Sequence, residues 1–296
     1  MVIGLLNVTF AVESAAETLD IFDRSIGLPG ERLDADGFYG SAHEGRIAFP
    51  NGCWLHVMDS QQSSSPIRQH IDLRGPGLER VVLLADDVEA ALERVRGREA
   101  RLETDGVVET PSGRRLVVSP ESVAGVRVEL LEPASGHWVH DAPSSISGVL
   151  GLQHVGVATR DIQETCHAFE HLFGLRAEDV RDDQHGGEQM DAMVKPGNDR
   201  LWLHATESWG PSARVRRFLD ETGPGLEHLC IEVADIREAV VRVTGAGIPI
   251  HDHKIFTNRE DGFEAFVYPE HTSGVTMELI EPYPTSRGYR PQAERG

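Results

Sequence analysis

An α+β fold of four βαβββ modules, joined in pairs, is predicted by two observations on this sequence. The first is duplication: GPGLERVVLLADDV at Gly75 to Val88 returns almost unchanged as GPGLEHLCIEVADI at Gly223 to Ile236. The second is a weaker periodicity inside each copy, in which a strand, a helix and about three strands are followed by the same series again. Such modules pair to curl a mixed sheet around a cleft.

Taken in order, the elements repeat along the chain. Asn7 to Leu28, NVTFAVESAAETLDIFDRSIGL, aligns without a gap on His154 to Leu175, HVGVATRDIQETCHAFEHLFGL. Each reads as a short strand, a turn and a helix. In the later copy Ile162, Cys166, Phe169 and Phe173 fall on one helical face, Asp161 is placed to cap its start and Gly174 to end it. WLHVMDS around His56 aligns with WLHATES around His204 in an alternating strand pattern. The segment from Gly75 leads into a helix with Val88, Leu92 and Val95 on one face, and its copy into a helix carrying Val240 and Val243. Each half closes on a strand, SPESVAGVRVELLEP ending at Pro133 and YPEHTSGVTMELIEP ending at Pro282, which sets Glu129 opposite Glu278. Between the halves lies ASGHWVHDAPSSISG, whose Ser, Pro and Gly content reads as a linker. The expected organisation is a first domain over residues 1–133, a linker over 134–148, a second domain over 149–284 and a tail over 285–296.

The 296 residues suffice for two domains that each bury a core, and 40% hydrophobic with 26% charged residues is the balance of a soluble globular protein. No apolar run is long enough to cross a bilayer, and Met1 to Leu6 lacks a basic flank and a cleavage site, so a cytoplasmic location is expected. A formal net charge of −20 argues against a nucleic-acid partner. The small basic group of Arg214, Arg216 and Arg217 reads as a solvated helix face. Cys53, Cys166 and Cys230 are scattered and odd in number, which predicts reduced, mostly buried thiols without zinc spacing. The expected partner is a small-molecule substrate, with no membrane contact and with a homodimer left open.

The chemistry lies in the difference between the copies. In the second half His154 falls at the start of the first strand, His204 late in the strand before the crossover, His228 at the start of the fifth, and Glu278 on the last. Imidazoles with one carboxylate on strands make a ligand set for Zn, Fe(II), Mn, Co or Ni. The corresponding first-half residues are Asn7, His56, Arg80 and Glu129, of which Asn7 cannot replace an imidazole and Arg80 repels a cation. One divalent ion per chain is therefore expected, in the second half. His204 is the weakest member of the set, because His56 persists where the site is lost.

Those residues carry a resemblance. Through HVGVATRDI, RRFLDETGPGLEHLCIEVADI and YPEHTSGVTMELIEP, the chain resembles the vicinal oxygen chelate superfamily, which includes glyoxalase I, extradiol dioxygenases and bleomycin resistance proteins. Its second half is most similar to methylmalonyl-CoA epimerase. The resemblance implies two domains of that fold and makes His154, His228 and Glu278 ligands, with His204 standing where the family has Gln or Glu. Where the epimerases carry His-Pro-Lys, this chain has Tyr268, Pro269 and Glu270, an acid in place of a lysine that could meet a CoA phosphate. The layout of two halves with one metal site resembles extradiol and hydroxyphenylpyruvate dioxygenases.

The expected activity is a metal-dependent isomerase, epimerase or lyase that enolises a small carbonyl or carboxylic substrate. A non-haem Fe(II) dioxygenase is the second reading and a small-molecule binding or resistance protein the third. Enolisation needs a general base, for which Glu188 and Asp191, on a strand expected over Glu188 to Val194, are the candidates. Tyr268, with His251 and His253, is the acid-base candidate for oxygen chemistry.

Overall fold

The computed structural model describes residues 2–34, 38–40, 43–134, 148–182, 188–197, 201–210, 213–258 and 262–283. The expected linker, apart from its two end residues, and the expected tail lie outside the described residues. Among the described residues no helix is long and apolar enough to cross a membrane.

The first half contains β1 (Val2–Ala11), α1 (Ala15–Ile26), β2 (Gly30–Leu33), β3 (His43–Ala48), β4 (Trp54–Asp59), α2 (Pro66–Arg74), β5 (Gly77–Ala85), α3 (Val88–Arg96), β6 (Val108–Thr110), β7 (Gly113–Val118) and β8 (Val128–Pro133). The second repeats the series as β9 (Val149–Thr159), α4 (Ile162–Phe173), β10 (Ala177–Asp182), β11 (Gln189–Val194), β12 (Trp202–Ser208), α5 (Arg214–Glu221), β13 (Gly225–Val233), α6 (Ile236–Gly245), β14 (Phe256–Asn258), β15 (Gly262–Val267) and β16 (Thr276–Pro282). Each half forms one eight-stranded sheet in the same order, β2-β3-β4-β1-β5-β8-β7-β6 and β10-β11-β12-β9-β13-β16-β15-β14. Both are mixed: β5 runs parallel to β8 and β13 to β16, while hairpin neighbours such as β7 and β8 or β15 and β16 are antiparallel. This is an α+β fold of two duplicated domains, each built on one mixed sheet. Helices α2 and α5, which carry one module into the next, add to the strand and helix series expected of each module.

One local device marks all four modules. The first helical N–H is accepted by a carboxylate at the end of that module's last strand, at 2.9 Å in every case: Ala15 by Asp59, Val88 by Glu132, Ile162 by Glu207 and Ile236 by Glu281. Ser14, Asp87, Asp161 and Asp235 cap the same four helices through their side chains. Helix N-termini present orphan donors and positive potential, so each cap contributes about 1 kcal/mol and ties the helix to its own sheet. Gly174 ends α4 at φ 76°, the left-handed conformation that glycine adopts without a Cβ clash. The buried face of α4 is Ile162, Thr165, Phe169, Leu172 and Phe173, whereas Cys166, expected on it, is only half-buried.

Two compact units cut across the duplication, one comprising residues 1–8, 79–138 and 155–227, the other 9–78, 139–154 and 228–296. In the first, α3 packs against α4, and the Arg94 guanidinium donates to the carbonyls of Glu170 and His171 at the end of α4, both at 3.3 Å. There Gly125, at φ 91°, lies so close to the Pro224 carbonyl that an added Cβ would stand 2.4 Å from its oxygen. In the second, α1 packs against α6 and Thr18 Oγ1 donates to Ser273 Oγ at 2.8 Å. There Gly274, at φ 101°, meets the Pro76 carbonyl, and an added Cβ would stand 2.1 Å from its oxygen. The repeated Gly-Pro-Gly thus serves as a seat for a glycine from the opposite half.

Candidate metal centre

The strand β13 is buried along its whole length, with Leu229, Ile231 and Val233 at most 2% exposed. Such burial demands partners for His228 and for every polar group beside it. The parallel register pairs His228 with Thr276 and Cys230 with Glu278, so β16 delivers its carboxylate one step along from the imidazole. His154 stands in the middle of β9 rather than at its start, because the apolar residues from Val149 begin the strand earlier than expected.

His154, His228 and Glu278 converge. Nε2 of His154 lies 3.1 Å from Nε2 of His228, and Glu278 Oε2 lies 3.3 Å from His228 Nε2 and 3.8 Å from His154 Nε2. All three are buried. Bonds of about 2.0–2.1 Å to a shared ion separate two donors by about 2.9 Å at a right angle and about 3.3 Å in a tetrahedron, so the two spacings at His228 fit one divalent cation and the 3.8 Å between His154 and Glu278 is wider than either. Two imidazole nitrogens cannot both face each other as acceptors without a proton or a cation between them. His154 Nδ1 lies 3.2 Å from Gln153 Oε1, an acceptor, and in the tautomer that donates to it the ring's lone pair is on Nε2. Cys230 lies beside two of the three: its sulfur, a His154 ring nitrogen and a Glu278 carboxylate oxygen lie within 4.8 Å of one another.

The first half fills the equivalent place with fixed charge. Val82 pairs with Glu129 in the register that pairs Cys230 with Glu278. Arg80 Nη1 lies 3.4 Å and Arg115 Nη1 3.1 Å from the Glu129 carboxylate, Arg80 also pairs with Glu79, and Arg127 joins Glu79 to Glu103. A guanidinium therefore supplies the positive charge beside Glu129. Asn7 is buried in the same unit, and its Oδ1 has no partner among the described residues.

His204 lies near the start of β12, the strand beside β9, and its Nε2 is 3.3 Å from Asp191 Oδ1. His56 Nε2 and Glu44 Oε2 make the same diagonal pair at 2.8 Å between β4 and β3. An imidazole–carboxylate pair thus occurs in both halves, including the one with Asn7 and Arg80 in place of His154 and His228. Asp191 also accepts from Thr206 Oγ1 and Gln189 Nε2, at 3.1 and 3.2 Å. Burial works against its charged form, yet the hydrogen bond and charge of His204 and the bonds from Thr206 and Gln189 outweigh it and hold the carboxyl below its ordinary pKa. Glu188 is an exposed bend just before β11, its carboxylate lying against Gly210, where an added Cβ would stand 2.3 Å from Oε2. Tyr268 is 36% exposed, with its ring 4.7 Å from that of His251. The basic patch expected on α5 is internally paired in part: Arg216 bonds Asp220 at 3.0 Å, and Arg214 reaches Glu227.

Two residues beside the triad escaped the sequence reading, Gln153 and Cys230. The i, i+2 spacing of His228 and Cys230 on one strand was the available signal.

Residues 153–266 match the Glyoxalase/Bleomycin resistance protein/Dioxygenase superfamily. The mitochondrial methylmalonyl-CoA epimerase of Dictyostelium discoideum is 27% identical over 136 residues, which is 45% of this chain and 80% of that protein. Its namesake from Bos taurus is 28% identical over 174 residues, 56% of this chain and 97% of that one. Among solved structures, a triple mutant of 4-hydroxymandelate synthase from Streptomyces coelicolor has a TM-score of 0.72 at 16% identity, over 97% of this chain and 94% of its own. A xylose isomerase-like TIM barrel/4-hydroxyphenylpyruvate dioxygenase fusion protein has a TM-score of 0.65 at 16% identity, over 98% of this chain and 50% of its own.

Proposed function

Since the second half of this chain is a domain of the glyoxalase, bleomycin resistance and dioxygenase superfamily, we propose that the protein is a metal-dependent isomerase, epimerase or lyase that enolises a small carbonyl or carboxylic substrate. The observation that carries this reading is the convergence of His154 Nε2, His228 Nε2 and Glu278 Oε2 at 3.1, 3.3 and 3.8 Å. These three residues hold one divalent ion, Co, Zn, Mn, Ni or Fe(II), through two imidazole nitrogens and a carboxylate. When bound, such an ion supplies positive charge that stabilises negative charge developing on neighbouring substrate oxygens. Gln153 holds the His154 ring in the tautomer that presents Nε2.

Proton transfer falls to the chain's own carboxylates. Asp191 is anchored by three partners and held in its charged form, which makes it the weaker base. Glu188, exposed in the bend just before that strand, is the better acceptor of a carbon-bound proton. The His204–Asp191 pair is assigned a supporting role, with ligation by His204 the alternative. His204→Ala separates them: a tenfold or greater loss of metal affinity means ligation, and lost stability with unchanged affinity means support.

A second reading, a non-haem Fe(II) dioxygenase, is favoured by the 2-His-1-carboxylate set with open positions and by the fold shared with the dioxygenase fusion protein over 98% of this chain. On that reading Tyr268, beside His251, is the acid-base group. Deuterium exchange separates the readings. In D2O, with methylmalonyl-CoA as the first compound tried and free 2-oxo and dicarboxylic acids after it, the metal-loaded protein should carry deuterium into the α-position without consuming oxygen. Glu188→Gln should slow that exchange by roughly 100-fold with metal content intact. Oxygen uptake that needs Fe(II) and a catechol or aryl 2-oxo acid, with no exchange on any compound, would put the dioxygenase first.

A further inference from the structure

We propose that Cys230 is a fourth protein donor to the ion held by His154, His228 and Glu278, which makes the centre a mixed nitrogen, oxygen and sulfur site. The inference rests on the metal reading of that triad and adds a ligand to it. The Cys230 sulfur, a His154 ring nitrogen and a Glu278 carboxylate oxygen lie within 4.8 Å of one another, a span that small side-chain rotations close onto a metal–sulfur bond of about 2.3 Å. The backbone fixes that proximity, because Cys230 is the register partner of Glu278 and stands two residues beyond His228 on the same strand.

The two halves differ at this position as they do at the other ligands. Where the second half sets Cys230 against Glu278 next to His228, the first sets Val82 against Glu129 next to Arg80. The thiol therefore occurs only in the half that has the imidazoles. A second observation points the same way. Gln153, 4% exposed and with its Nε2 a buried donor without a partner among the described residues, takes the Cys230 S–H on its Oε1 at 3.8 Å, so the thiol lies in the same buried wall as the His154 ring that Gln153 contacts.

On binding, the S–H bond breaks, its proton passes to solvent and a metal–sulfur bond forms, with no change of oxidation state. A thiolate beside two imidazoles and one carboxylate favours Zn, Co or Fe(II) and disfavours Mg, Ca and Mn.

Cobalt makes the ligand visible. The full chain, kept reduced and titrated with Co(II), should develop visible d–d bands together with a near-ultraviolet thiolate-to-cobalt charge-transfer band. Cys230→Ser should keep the d–d bands, lose the charge-transfer band and bind Co(II) about tenfold or more weakly, while Cys53→Ser keeps both. On the wild-type chain, which needs no variant to fold, cobalt X-ray absorption should show one sulfur at about 2.3 Å. Cobalt bound with d–d bands alone, or a charge-transfer band that survives in Cys230→Ser, would overturn the thiolate ligand and leave the triad standing. Failure to bind cobalt at all would overturn both.

Discussion

One position has opposite meanings in the two halves, and the same kind of substitution there should have opposite effects. His228→Ala removes one of three donors from the triad, and Arg80→Met removes the guanidinium at the corresponding place. Loss of a supporting contact to a ligand already costs 10–100-fold in metal affinity, so loss of His228 should cost at least about 100-fold, or about 2.7 kcal/mol. Folding of the metal-free chain should change little. Arg80, by contrast, is 2% exposed in a network of three arginines, Arg80, Arg115 and Arg127, against three glutamates, Glu79, Glu103 and Glu129. Its removal leaves an uncompensated negative charge beside Glu79 and Glu129, 4% and 0% exposed. Breaking a buried pair on one side costs about 3–5 kcal/mol. At about 2–4 °C per kcal/mol for a chain of this size, the melting temperature should fall by roughly 6–20 °C. Arg80→Met with Glu129→Gln restores the charge balance, so the double variant should melt above the value expected from adding the two single losses. Metal content is read by elemental analysis after gel filtration, and stability by thermal melting with a chelator present. Two ions per chain, metal lost in Arg80→Met, or metal retained in His228→Ala would refute the assignment of one site to the second half.

Asp191 sets a pH dependence. Its folded-state pKa is depressed, so its stabilisation is fully present above the ordinary carboxylate value of about 3.9 and is lost as pH falls through the lower folded value. Asp191→Asn should therefore cost about 1.5–3 kcal/mol at neutral pH, and the difference from wild type should shrink in melts below about pH 4; a gap that widens in acid would contradict the argument. Gly274→Ala puts a side chain at φ 101° and a Cβ 2.1 Å from the Pro76 carbonyl oxygen, so it should lose at least about 2 kcal/mol in chemical denaturation, and an unchanged midpoint would show that this contact yields freely.

Duplication made much of this legible in advance. His154, His228 and Glu278 stand out because Asn7 and Arg80 replace the first two in the other copy, and the paired halves appear because GPGLERVVLLADDV returns as GPGLEHLCIEVADI. Pairings across strands were not legible. The bonds from Thr206, Gln189 and His204 to Asp191 depend on the register of β11 with β12, which fixes neighbours that sequence spacing does not order. The same limit hid Cys230, whose meaning comes from Glu278 on a strand 48 residues further along. Cys166 missed the core because Thr165 and Leu172 present the buried side of α4, and the scattered cysteines, read together, concealed that one of them faces the ligands.

The seats at Pro76 and Pro224 have a consequence for how the two copies could come to differ. Gly125 rests on Pro224 as Gly274 rests on Pro76, so each half gives the other what it receives. Carrying both copies in one polypeptide releases them from having to share a sequence. In a homodimer one histidine-to-arginine change would alter both copies at once. Here the copy with Arg80 keeps its glycine seat whatever the copy with His228 binds.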